Sequence, residues 1–295
     1  MDKDKIAIVL ISAAIIVAGC TNGEDEEIEG EGLQITQFNS FPADPFTGES
    51  TNLEMELFNT GDADADVEIA RLYGHVISDD DNAWSLDGDE QVRDDIGIVQ
   101  AGDEDFDPLP EDVVWRMIAP EEISQSTSPY TWNAEVFYDY RTDASTSIDL
   151  IDSRDEQAGI PGVSNSAAPI RLDVTTQSPI LVDEETDEVQ VRVEASNIGQ
   201  GEVYSPDTEF EEDPFDVDDD EYRDSLTIRM DDPPGETSVD GENEVDVDMT
   251  RGSGRHTFDL SLPESFNSPL TVELSLESDY IYRTDRATGV TVGER

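Results

Sequence analysis

The residues of this chain that could do chemistry are mostly carboxylates. Of 295 residues, 73 are Asp or Glu, against 16 Lys plus Arg, 2 His and 1 Cys. Hard cations take several carboxylate oxygens at once, so calcium is the first ligand to consider. Asp216, Asp218 and Asp220 have the one-three-five spacing that opens a calcium loop. Glu221, however, stands where such a loop needs its turn glycine, and Thr227 where it needs its closing glutamate. Asp79, Asp80, Asp81 and Asn82, followed by Asp87, Gly88 and Asp89, make a second acidic run. In so acidic a chain these spacings arise readily on a surface. The expectation is therefore no cofactor, with calcium at Asp216, Asp218 and Asp220 as the alternative.

Other chemistry lacks its parts. Two histidines and one thiol do not assemble a histidine–cysteine zinc site. A serine triad would need His75 or His256 and a strained nucleophile turn, and no Gly-x-Ser-x-Gly is present. No glycine loop of the phosphate-cradling kind occurs. Carboxylate pairs are too numerous to mark a glycosidase, whose two carboxyls are defined by their separation in a cleft. The sequence reads as a non-enzyme.

The single cysteine has a specific setting. Ile6 to Ala18 is aliphatic apart from Ser12, Lys3 and Lys5 precede it, and Val17-Ala18-Gly19-Cys20 closes it. A basic start, an apolar stretch and small residues before a cut site describe a secretory signal peptide. The run is shorter than the ~20 apolar residues of a spanning helix. Its ending resembles a lipobox, which implies that residues 1–19 are removed and that Cys20 carries lipid as the mature N-terminus. The alternatives are an ordinary signal peptide with an incidental cysteine, or an uncleaved anchor. The lipobox reading implies a protein tethered to the outer face of the cell membrane.

Charge is the second bound. The formal net charge is −57. Setting aside Lys3, Lys5, Asp2 and Asp4 leaves 14 basic residues, all arginine, against 71 acidic ones. A one-sign excess of this size opposes compaction by self-repulsion, and salt relieves it because the Debye length falls to ~3 Å at 1 M. Lysine-free acidity of this kind resembles the proteins of halophiles. It also argues against nucleic acid as a partner, since phosphate binding needs basic patches.

The elements that position these residues come in two copies. Glu54-Met55-Glu56-Leu57-Phe58-Asn59-Thr60-Gly61 is answered by Val191-Arg192-Val193-Glu194-Ala195-Ser196-Asn197-Ile198-Gly199. Ser40-Phe41-Pro42 is answered by Gln177-Ser178-Pro179, and Tyr138-Asp139-Tyr140-Arg141-Thr142-Asp143 by Tyr280-Ile281-Tyr282-Arg283-Thr284-Asp285. Within each copy the hydrophobic period is two. Tyr130, Trp132, Ala134, Val136, Tyr138 and Tyr140 share one face, as do Leu270, Val272, Leu274, Leu276, Tyr280 and Tyr282, which predicts half-buried antiparallel strands. The expected fold is all-β: two tandem immunoglobulin-like antiparallel β-sandwiches after an N-terminal signal segment. The expected bounds are 1–19 signal, 20–32 acidic tether, 33–152 first sandwich, 153–168 linker and 169–295 second sandwich.

The strand–Asn-x-Gly block, followed by Asp-rich sequence and a late strand ending Tyr-x-Tyr-Arg-Thr, resembles CARDB-type domains. These are immunoglobulin-like modules related to cell adhesion on bacterial and archaeal surfaces. The acidic insertions at Ser78–Asp112 and Pro206–Tyr222 depart from that pattern. The resemblance implies a binding or spacing role, with no shared catalytic residues. The partners it implies are other surface proteins or glycans, in addition to the membrane reached through Cys20. A self-assembling envelope subunit and a substrate-capturing transporter lipoprotein are the competing expectations. By analogy with the tyrosine corner of such sandwiches, Tyr138 or Tyr140 and Tyr280 or Tyr282 are expected to cap sheet corners through their hydroxyls. Trp84, alone in the first acidic insertion, is a candidate partner contact if exposed; the alternative is that it packs back onto the sheet.

Overall fold

The computed structural model describes residues 32–295 except 79, 89, 103–105, 153–158, 184–185, 211–221, 236 and 264–268. Cys20 and the trio Asp216, Asp218 and Asp220 lie outside the described residues. The described chain is all-β and its sheets are dominated by antiparallel pairs. The first copy holds β1 (Leu33–Phe41), β2 (Ser50–Asn59), β3 (Ala65–Tyr73), β4 (Ser85–Leu86), β5 (Val92–Arg93), β6 (Gly97–Val99), β7 (Glu111–Ile118) and β8 (Thr127–Ile151). After β9 (Ser164–Asn165), the second copy holds β10 (Ile170–Val174), β11 (Ile180–Leu181), β12 (Glu188–Asn197), β13 (Glu202–Tyr204) and β14 (Ser225–Met230). It finishes with β15 (Ser238–Asp240), β16 (Glu244–Asp248), β17 (Ser253–Ser261) and β18 (Leu270–Gly293).

Each copy builds one four-stranded sheet of its own, β1-β2-β7-β4 and β10-β12-β17-β15, in matching order. The third sheet belongs to both. It has ten strands, with β16-β14-β18-β8-β3-β5 as its path and β6, β9, β11 and β13 attached beside it. One continuous core, including Leu57, Trp115, Trp132, Tyr138, Val193, Tyr280 and Val292, draws on all three sheets. Two small sheets, one from each copy, thus pack on a large sheet to which both copies contribute.

The common sheet is centred on β8 and β18, which pair antiparallel from Thr127↔Gly293 to Leu150↔Leu270. At the strand rise of ~3.3 Å per residue this ribbon is about 80 Å long. In the repeat register Tyr138 corresponds to Tyr280 and Tyr140 to Tyr282. Across the ladder Tyr138 faces Tyr282 and Tyr140 faces Tyr280. A ladder in which each residue faces its neighbour's counterpart is self-complementary, the geometry of a twofold interface. The pseudo-twofold axis passes between Asp139 and Ile281, which are both counterparts and partners.

Beyond that axis each long strand enters the other copy. β8 pairs there with β9 at Ala144 and Ser145 and with β11 at Leu150 and Ile151. Thr142 Oγ1 also donates to the Ile170 carbonyl. β18 does the reverse: the Thr291 and Gly293 N–H groups donate to the Ala43 and Pro45 carbonyls, and Arg286 reaches the carbonyls of Ile35 and Thr36. The segment expected to be a linker, 153–168, supplies β9 and the buried Ala168.

The Asn-x-Gly blocks are hydrogen-bonding hubs. The Asn59 carbonyl oxygen accepts the Gly61 N–H and the Tyr140 hydroxyl, while its amide donates to Ala63 and Val99 carbonyls. Asn197 repeats this with Gly199, Tyr282 and the Gly201 carbonyl. Glycine is required for close approach, because a Cβ at Gly61 or Gly199 would collide with the tyrosine hydroxyl bound to the hub. The first tyrosine of each pair ties down the leading strand. Tyr138 donates to the Leu33 carbonyl, and Tyr280 shares a hydrogen bond with Thr142. Burial pushes the pKa of Tyr138 and Tyr280 well above the usual phenol value, so these hydroxyls stay protonated.

Candidate functional site

The outer face of the common sheet, on the side away from the tyrosines, is where the two copies differ most in chemistry. Their charged framework is the same. Glu135 is buried between Arg71 and Arg283, and its counterpart Glu277 pairs with Arg229 and Arg141. Burying a carboxylate such as Glu135, 3% exposed, demands this kind of pairing.

Around that framework the central row reads Asp66–Asp139–Ile281–Tyr204 across four paired strands. Tyr204, Ile281, Phe137 and Ile69 form a small apolar cluster, on which Phe210 packs at 5.1 Å from Phe137. The Arg71 guanidinium lies 5.2 Å from the Phe137 ring, within cation–π range. The counterparts of those four residues are Asp66, Asp139, Asp279 and Thr227. With Arg141 and Pro206, the three aspartates line an open concavity of about 340 Å³. Burial, and then the neighbouring Glu68, Asp66 and Asp279, push the Asp139 carboxyl up to about 7. Arg141 lies 2.8 Å from Asp279.

The second acidic insertion enters at this face. In the first copy β3 runs unbroken past a bulge at Val67–Ile69 that sets Glu68 out of the ladder. In the second copy the same strand is cut at that point: β13 ends with Tyr204↔Ile281 and β14 resumes with Thr227↔Asp279. A bulge already leaves a residue unpaired, so extra chain is accommodated there with least loss of ladder. Ser205 N–H to Tyr222 carbonyl and Asp224 N–H to Val203 carbonyl close the insertion's neck.

The first insertion does something else. β4 extends the small sheet, while β5 and β6 edge the common one, so this segment straps one side of the first copy. Trp84 fills the space beneath, 1% exposed, with its ring edge-on to Tyr130 at 5.3 Å and Trp132 at 5.6 Å. The expectation that Trp84 offers an exposed partner contact is corrected by this burial. Asp80, Asp81 and Asp87 on either side of Trp84 are exposed. Asp80 is held locally by Ser78.

The remaining residues with chemical potential stand apart. His75 Nε2 accepts the Thr131 N–H and its ring packs against Tyr130 and Trp132, with desolvation lowering its pKa. His256 packs against Phe258. Among the described residues no three His, Cys, Asp or Glu side chains are grouped to hold a metal ion, and no helix is long and apolar enough to cross a membrane. The outer face was missed in the sequence because its residues alternate with the core residues of the same strands. The signal available was the mismatch of Phe137 with Asp279 and of Asp139 with Ile281 in otherwise aligned blocks.

No family model matches the chain, and no curated protein does. Among solved structures it shows a likeness to the secreted serine protease VesC from Vibrio cholerae, with a TM-score of 0.23 and 10% identity over 83% of this chain and 50% of that one. A Porphyromonas gingivalis W83 protein of unknown function gives a TM-score of 0.19 at 12% identity, over 78% of this chain and 83% of that one. Activated Escherichia coli alpha-2-macroglobulin gives 0.17 at 8%, over 85% and 32%. At these TM-scores no function is carried from any of them.

Proposed function

We propose that this chain is a lipid-anchored, extracellular, non-enzymatic interaction module. It would be built from two immunoglobulin-like units of CARDB type and adapted to high salt. The observation that carries the proposal is Cys20 at the close of an apolar N-terminal segment, joined to a duplicated β framework. The duplication supports a scaffold reading because the buried hubs repeat while the outer face and the acidic insertions differ. Variation placed on a rigid framework is how binding specificity is ordinarily carried. The partner is a surface protein or glycan, and the second insertion with the face beneath it is the contact region.

Cys20→Ser tests the anchoring. The variant is expected in the soluble fraction, or as an uncut precursor, while the unaltered protein fractionates with membranes. Unchanged mass and unchanged membrane retention would defeat the proposal. A pull-down from solubilised membranes in molar salt, with the second insertion replaced by a short turn as control, reads out the partner. Equal recovery with and without the insertion removes it as the contact region.

A further inference from the structure

Gly74 and His75 stand where β3 stops and the strap begins. The last rung between β3 and β8 is Tyr73↔Asn133, so in continued register the His75 main chain would face Thr131. Gly74 turns the chain away instead, with φ at 128°. Glycine is needed there, because a Cβ would collide with the Thr131 carbonyl. The Thr131 N–H thus loses its next main-chain rung, and the His75 side chain supplies one: Nε2 accepts that N–H at 3.0 Å. In the second copy Asp231 bonds to Ser275, the counterpart of Asn133, so Pro233 stands where His75 does. The device belongs to the strapped copy.

The same ring helps to seat the strap. His75 lies edge-on to Tyr130 at 5.0 Å and to Trp132 at 5.3 Å, and Trp84 lies edge-on to the same two rings. Between them Ile77 bridges to Trp84, and the Ser78 N–H donates to the Trp84 carbonyl. The first turn of the strap is therefore held to β8 by one side-chain hydrogen bond and one aromatic layer.

We infer that His75 is a pH-sensitive latch: the neutral imidazole fastens the start of the strap to β8, and the imidazolium releases it. A protonated ring carries N–H on both nitrogens, so Nε2 can no longer accept the Thr131 N–H. Desolvation against the aromatic layer opposes the charge and lowers the His75 pKa from 6.5. The Thr131 backbone offsets part of this, and the shift stays downward. The other titratable groups around the latch are Tyr73 on its own strand, Tyr130 on β8 and the exposed Asp80, Asp81 and Asp87 of the strap. Glu122 joins them through its N–H bond to the Asp81 carbonyl. No charged side chain among the described residues is a cause of the shift. Below about 6.5 the open strap binds more protons than the closed one, so the strap loosens as pH falls. The latch does not depend on the partner or on lipid at Cys20.

Amide hydrogen exchange in molar salt tests it, since local opening is read residue by residue. Protection factors of Thr131 and Ser78 are compared at about pH 8 and about pH 4, with Val191 and Val193 of the central strand β12 as references for global unfolding. In the unaltered chain Thr131 and Ser78 should lose roughly 5-fold in protection at the lower pH, the worth of one hydrogen bond, relative to the references. His75→Gln offers a carbonyl oxygen that does not titrate, so its Thr131 protection should not vary with pH. His75→Phe keeps an aromatic ring without an acceptor, and Thr131 should exchange fast at both pH values. Equal Thr131 protection at both pH values in the unaltered chain overturns the inference. So does a pH dependence that persists in His75→Gln, which would assign it to the strap's carboxylates. A His75 ring that titrates above 6.5 by proton NMR overturns it as well.

Discussion

The two faces of the central ribbon have different histories written on them. On the inner face the pseudo-twofold axis is nearly obeyed: Tyr138 and Tyr280, Tyr140 and Tyr282, and the hubs Asn59 and Asn197 occupy matching places. On the outer face it holds only for the arginine–glutamate framework. Phe137 stands against Asp279, Ile281 against Asp139, and a strand that is continuous in one copy is cut by an acidic insertion in the other. A packed interior tolerates little change in volume or hydrogen bonding. An exposed sheet face is restrained only by its ladder, so there the copies were free to become different surfaces.

The largest effect should come from separating the copies. Residues 169–295 alone lack the β8 arm that pairs with Leu270–Tyr280 of β18 and carries the buried Ile148 and Leu150. In molar salt this fragment is expected to form a dimer, with β18 pairing to a second β18 about Ile281. Size-exclusion chromatography with light scattering reads the mass, and circular dichroism the β content. A folded monomer with a cooperative transition would refute the exchanged-strand reading.

Next comes the strap. Trp84→Ala should destabilise the protein by about 3–5 kcal/mol, the usual cost of emptying a large aromatic site. Denaturant midpoints in molar salt measure it. A loss below ~1 kcal/mol would mean that Trp84 is not part of the core.

The hubs sharpen the inner-face symmetry. Asn59 is fully buried and donates to two carbonyls, whereas Asn197 is partly exposed and donates to one. Asn59→Ala should therefore cost about 1–3 kcal/mol for each buried group left unpaired, and more than Asn197→Ala. Equal losses would show that exposure does not separate the two sites.

The smallest effect concerns the outer face. Asp139 keeps its proton to about pH 7 in the folded chain, against an ordinary value of 3.8. Between those pH values the folded state binds more protons than the unfolded one, so stability falls as pH rises through the window. Asp139→Asn should leave the melting temperature unchanged near pH 4 and raise it by pH 8. Asp139 is only half buried, and solvent screening keeps the gain modest. An identical difference at both pH values would remove the carboxyl crowding as its cause.

The sequence alone determined the all-β class, the duplication and the inward faces. Each rests on local period or on aligned blocks, as in Tyr130 to Tyr140 and in Asn59 and Asn197. It did not determine which strand lies beside which. A period of two assigns a residue to a face, yet Ala144, Ile148 and Leu150 alternate in the same way whether they pack in their own copy or the other. Trp84 was undecided for a related reason, since its burial depends on Tyr130 and Trp132, far along the chain. Tertiary structure alone decided the exchange of strands, because hydrogen-bonded partners in a sheet are chosen by long-range ladder and core complementarity that no local pattern encodes.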